Sequence, residues 1–197
     1  AKRLADEVLA IRERAAPGSL AVAAVLTNLG SVASNQGEVS TARDYHSRAV
    51  AIFERLAPGS LYLAAGLNNM GGLAWREGDL PAARESYLRA LALFERLMPD
   101  GLYVAVTLGN LGAVVKDLGA LSAARRFHLR ALEIEQRLAA DSTEVAGTLQ
   151  NLGVVAQAQG DLEAAREYHL AALELFQRLA PGSQDEAACW ANLGTVA

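Results

Sequence analysis

The stretch "LNNMGGLAWREGDL", residues 67–80, decides the fold. Leu67, Met70, Leu73 and Ala74 fall on one stripe at helical spacing. The same span carries Asn68, Asn69, Gly71 and Gly72, all weak helix formers. A helix that keeps them needs them for something besides local stability. Part of the stretch recurs along the chain. "TNLG", "NNMG", "GNLG", "QNLG" and "ANLG" place asparagine at 28, 69, 110, 151 and 192, always 41 residues apart. A fixed period of this length indicates a solenoid or a propeller.

The apolar pattern chooses between them. Leu26, Leu29, Val32 and Ala33 form one helical stripe; Ala42, Tyr45, Ala49, Ile52, Phe53 and Leu56 form a second. No segment alternates as a strand would, which excludes a propeller. "APGS" at 16–19, 57–60 and 180–183 and "MPDG" at 98–101 are turns between units. Ser19, Ser60, Ser142 and Ser183 stand at N-cap positions of the following helix. Gly37, Gly78, Gly119 and Gly160 close the first helix of each unit, Asp79 and Asp161 cap the second, and Pro81 sits in its first turn. Each unit is therefore a helical hairpin. Full units span 16–56, 57–97, 98–138 and 139–179, with half-units at 1–15 and 180–197. The expectation is one all-α, right-handed α-solenoid of antiparallel hairpins with about ten helices. Both ends fall in mid-repeat without polar capping helices, so an excerpt from a longer array or larger protein is expected.

Composition narrows the function. Of 197 residues, 52% are apolar, 20% are charged and the formal net charge is −4. No basic stripe marks a nucleic-acid binder, and no apolar run is long enough to span a bilayer. The single Cys189 excludes an internal disulfide and suits a reducing, cytoplasmic compartment. Sixteen arginines against two lysines, Lys2 and Lys116, point to a GC-rich bacterial gene.

The pattern Leu67, Met70, Gly71, Gly78, Asp79, Ala83, Tyr87, Ala90 resembles the tetratricopeptide repeat. Trp190 stands at that family's tryptophan position, which Leu26, Leu67, Leu108 and Leu149 occupy in the earlier units. The long period and the "NLG" core resemble the kinesin-light-chain type, although 41 residues is one short of its usual 42. Small residues at Gly71, Ala83 and Ala90, and at Gly112, Ala124 and Ala131, are expected to let the paired helices approach. Overpacking there would cost about 1–3 kcal/mol, more than the ~1 kcal/mol penalty of a mid-helix glycine.

Asn69 lies off the apolar stripe, on a face shared by residues 65, 69, 72 and 76. The resemblance implies that this face lines a concave groove. There Asn28, Asn69, Asn110, Asn151 and Asn192 would form an amide ladder for the backbone of an extended peptide, since an amide both donates and accepts. Asn68, Gln150, Trp75, Arg76, Lys116 and Gln157 stand beside it. The competing reading is that each asparagine bonds a neighbouring helix and sets the stacking angle. Lys and Arg that would clamp a terminal carboxylate are missing, because those positions hold Ser31, Gly72, Ala113 and Val154, and Thr27, Asn68, Gly109 and Gln150.

Other columns read as structural. His46, His128 and His169 share one repeat position with Tyr87, so a flat ring is wanted for packing rather than a metal ligand. Arg14, Arg55, Arg96, Arg137 and Arg178 lie in last turns, where a cation suits the helix dipole and free carbonyls, and Glu13, Glu54 and Glu95 dilute their field. Cys189 reads as a small buried residue beside Trp190. No phosphate loop, nucleophile elbow or cofactor motif is present, and no enzyme is indicated. The expected function is a protein-interaction scaffold that takes a protein or extended peptide segment in its groove. Two other readings stand: a passive spacer that self-associates end to end through uncapped termini, and the sensor arm of a larger bacterial protein. By the family resemblance, such a protein would carry a caspase-like protease or nucleotidase domain.

Overall fold

The computed structural model describes residues 2–196, with side chains from Glu7 onward; Ala1 and Ala197, the outer tips of the two expected half-units, lie outside the described residues. Among the described residues there are ten α-helices and no strand. They are α1 (Lys2–Ala15), α2 (Leu20–Asn35), α3 (Val39–Leu56), α4 (Leu61–Arg76), α5 (Leu80–Leu97), α6 (Leu102–Asp117), α7 (Leu121–Ala139), α8 (Thr143–Ala158), α9 (Leu162–Leu179) and α10 (Gln184–Thr195). Two compact units divide them, Ala1–Leu97 and Met98–Ala197. In the first, α2 pairs with α3 and α4 with α5, while α1 packs on α2, α3 on α4, and α2 touches α4. In the second, α6 pairs with α7 and α8 with α9; α7 packs on α8, α10 on α9, and α8 touches both α6 and α10.

The punctuation works as its chemistry requires. The Ser19, Ser60, Ser142 and Ser183 hydroxyls accept from the backbone N–H groups of Val22, Leu63, Val145 and Glu186. Asp79 and Asp161 accept from Ala82 and Ala164. Gly37, Gly78, Gly119 and Gly160 take φ of 76–81°, the left-handed region that closes a helix. That turn lets the next residue's N–H reach back, as Asp79 N does to Ala74 O at 2.9 Å.

The core of each unit lies between paired helices. In the second, Leu132, Val145, Ala146, Leu149, Leu152, Leu173, Phe176 and Cys189 form one cluster. Two residues expected in the stripes face solvent instead, Val32 and Leu56. Val32 is six residues from Leu26, which rotates it well off the buried face at about 100° per residue. Leu56 is the last residue of α3, where the chain turns away.

Candidate functional site

The paired helices meet through a ring on a glycine. A Cβ added to Gly30 would come within 2.7 Å of the His46 ring, one on Gly71 within 2.9 Å of Tyr87, and one on Gly112 within 2.5 Å of His128; Gly153 faces His169 in the same way. The glycine column is therefore the seat of the His/Tyr column, a sharper reason than close backbone approach alone. All four rings are buried. Nδ1 of His46, His128 and His169 has no hydrogen-bond partner. Burial lowers the pKa of each imidazole; that of His128, with Lys116 as second cause, falls to about 4. Burial pushes the Tyr87 phenol up to about 12. Among the described residues no three His, Cys, Asp or Glu side chains gather to hold a metal.

With the ring seat fixing α2, α4, α6 and α8, a face of each turned away from the ring is presented outward. In the first unit that strip runs through Ala24, Asn28 and Ser31 on α2, all exposed, and through half-buried Ala65, Asn69 and Gly72 on α4. In the second unit Asn110 on α6 and Asn192 on α10 are half-buried and Asn151 on α8 is exposed. No side-chain amide of these five asparagines hydrogen-bonds a described residue; Asn192 contributes only its backbone carbonyl, to Thr195. Glycines 109, 147 and 194 on the same helices face open space.

The flanking candidates are placed differently. Arg76 donates to both the backbone carbonyl and the hydroxyl of Ser34 at 3.1 Å, tying the end of α4 to α2. Gln157 donates to the Thr195 hydroxyl at 3.0 Å, tying α8 to α10. Lys116 pairs with Asp117 at 3.1 Å. Asn68 and Gln150 are half-buried, and Trp75 is 37% exposed. Arg76 and Gln157 thus connect neighbouring first helices, leaving the amides as the outward polar groups of the strip.

Four members of the arginine column reach beyond their own helix. Arg55 donates to Gly18 O at 2.7 Å and Arg96 to Gly59 O at 3.4 Å. Arg137 and Arg178 pair with Asp100 and Asp141 at 2.9 and 2.6 Å. Each reaches back 37 residues to the turn that opened its hairpin, and so closes the hairpin's open end. Glu13 and Glu54 pair with Arg48 and Arg89, linking successive second helices of the first unit. Cys189 is fully buried, and burial with Asp185 and Glu186 pushes its thiol up to about 11. Trp190 is 56% exposed, unlike the buried leucines at its repeat position.

Tandem hairpins with ring-on-glycine seats and an outward polar strip define a helical-repeat scaffold. The chain belongs to the tetratricopeptide repeat family, whose profiles match residues 22–57, 62–137 and 144–197. Its fold is that of the kinesin-light-chain-like members. BtubC (BKLC) from P. vanneervenii is similar over 99% of this chain and 81% of its own, at 25% identity and a TM-score of 0.84. A Podosopora anserina kinesin-light-chain-type protein of nearly identical TPR-like repeats matches 87% of this chain and 83% of its own, at 14% identity and TM-score 0.74. The apo form of RapI matches 88% of this chain and 67% of its own, at 16% identity and TM-score 0.74. No curated protein matches by sequence. No helix among the described residues is long and apolar enough to cross a membrane.

Proposed function

We propose that this protein-interaction scaffold binds an extended segment of a partner protein along the outward strip of the first helices within a unit, with the asparagine amides pairing to the ligand backbone. One observation carries the reading. The amides of Asn28, Asn69, Asn110, Asn151 and Asn192 bond no described residue, whereas the serine and aspartate caps and four of the column arginines are satisfied within the fold. An asparagine that set the stacking angle would be spent on a neighbouring helix. These remain available at both donor and acceptor. The strip between them is small and neutral, with Ala65 and Gly72 on α4 and Ala113 and Gly147 on α6 and α8. Small neutral walls favour backbone recognition over selection by charge.

The test selects a ligand from a random-sequence peptide library and measures its affinity by calorimetry. Asn110→Ala with Asn151→Ala is expected to weaken binding about tenfold or more, as loss of two or more hydrogen bonds would. Unfolding free energy should stay within ~0.5 kcal/mol per site, the usual range for surface changes. A variant that loses stability by more, or binds the selected peptide unchanged, sinks the reading.

A further inference from the structure

One repeat position breaks its own pattern where a cavity opens. Phenylalanine occupies it at 53, 94 and 176, all buried; in the first unit Phe53 stacks on Tyr62 with ring centroids 5.7 Å apart. At 135 the same position holds glutamate, and Tyr62's position holds Glu144. An aromatic pair has become a carboxyl pair. Glutamate is smaller than phenylalanine, and a cleft of 190 Å³ opens here between the end of α7 and the start of α8. Its lining is Leu102, Glu135, Leu138, Ala139, Ser142 and Glu144. The first unit behaves alike: where Arg12 and Ala21 replace the aromatic pair, a cleft of 320 Å³ opens at the same register. Both clefts lie at registers that lack the phenylalanine, whose ring would act as a plug there.

The second cleft has a chemistry of its own. Glu135 is only 6% exposed, and its Oε2 has no hydrogen-bond partner. Burial raises the pKa of its carboxyl, and Thr148 acts in the opposite direction. The nearest arginine in sequence does not reach it, since Arg137 is held by Asp100 and Glu133 O. A buried carboxyl oxygen without a partner costs folding free energy, and the adjacent Glu144 adds like-charge repulsion. A cation between the two would relieve both. Leu102, Leu138 and Ala139 form apolar walls at the exposed mouth. Two carboxyls with apolar walls suit an organic cation on an aliphatic stem better than a metal, which would need more oxygen donors. A guanidinium can bridge two carboxylates with its forked donors.

We propose that the α7–α8 cleft is a binding site for an alkylguanidinium, with Glu135 and Glu144 pairing to its planar head and Leu102, Leu138 and Ala139 enclosing its stem. The site lies at the turn between hairpins, apart from the asparagine strip, and stands or falls independently of it. The chemistry is shared by an arginine side chain of a partner and by a free small guanidinium compound.

The chain, labelled for amide chemical shifts, is titrated with propylguanidinium, with a capped arginine tripeptide, with neutral propylurea and with calcium ion. Saturable shifts confined to residues around Glu135 and Ser142–Thr148 are expected with both guanidinium probes and with neither control. Tighter binding of the tripeptide assigns the site to a side chain of a partner; tighter binding of propylguanidinium assigns it to a free cation. Glu135→Gln keeps the shape and should weaken binding about tenfold or more. Glu135→Phe restores the plug and should abolish binding in a well-folded chain. Equal binding by Glu135→Gln, equal response to propylurea, a response to calcium alone, or no saturable shift would each overturn the proposal.

Discussion

His128 makes the stability of the second unit depend on pH in a calculable way. Its ring is buried on Gly112, Nδ1 has no partner, and burial followed by the Lys116 charge lowers its pKa from 6.5 to about 4. The fold therefore favours the neutral imidazole, while the unfolded chain titrates near its ordinary value. Below pH 6.5 the unfolded state binds the extra proton, so stability falls as pH falls. The contribution is complete above 6.5 and is lost progressively down to about 4. At about 1.4 kcal/mol per pH unit, His128 alone accounts for about 3 kcal/mol. His46 and His169 shift in the same direction and add to the total acid sensitivity.

The perturbation that isolates this contribution is His128→Tyr. Tyr87 shows that the same seat accepts a phenol, its hydroxyl lying 3.4 Å from where a Cβ on Gly72 would be; Ala113 holds that place beside His128, an ordinary contact distance. A buried phenol of this kind, with its pKa near 12, stays neutral throughout the window. Urea unfolding of both proteins at neutral pH and near pH ~4 gives two stability differences. The variant should gain about 3 kcal/mol relative to wild type on going from neutral to acid. A difference that does not change with pH would refute the burial argument, whatever its size.

The glycine seats give a paired test within α6: Gly112→Ala should destabilise by about 1–3 kcal/mol through overpacking, whereas Gly109→Ala, with open space around it, should stabilise by about 0.5–1 kcal/mol through helix propensity. Urea midpoints of the two variants check both signs. Arg55→Ala should speed amide exchange at Ser19 and the turn before it, where Arg55 holds Gly18 O, with a global cost under about 1 kcal/mol because the pair is exposed. Cys189, buried and with its pKa at about 11, should react with iodoacetamide at neutral pH only at the rate at which its helix opens. Labelling as fast as that of a free thiol would contradict its burial.

How much of this was legible in the chain follows from how far each cause lies along it. Serine caps and closing glycines act over three or four residues, so Ser60, Gly78 and Asp79 could be placed from local chemistry. The Gly71–Tyr87 seat is a contact across one hairpin. The sequence shows both columns, but their opposition appears only once the helices are paired. The arginines stand in their last turns as expected, and Arg137 donates to Glu133 O of its own helix, but four of the column also reach a turn far back in the chain. Arg55 reaches Gly18, 37 residues back, and a local reading supplies only carbonyls of its own helix. Spacing alone puts Val32 in the apolar stripe, although six residues from Leu26 turn it off the buried face.

The asparagine column shows the limit of repetition as a signal. Duplication copies a stacking residue and a ligand residue with equal fidelity, so five aligned asparagines could not be assigned from their alignment. Hydrogen-bond accounting is what supports the proposed ligand reading, because an asparagine that set the stacking angle would use its amide on a neighbouring helix. The converse signal is the position where a column breaks. Glu135 interrupts the phenylalanines at 53, 94 and 176, and that break is visible in the sequence without any coordinates. Its consequence is not, since a polar residue at a core position is read as an exposed one until a structure shows it buried, unpartnered and beside a cavity. In a repeat protein the columns carry the architecture, and an unpartnered polar atom on an outward face or beside a cavity is where a binding proposal starts.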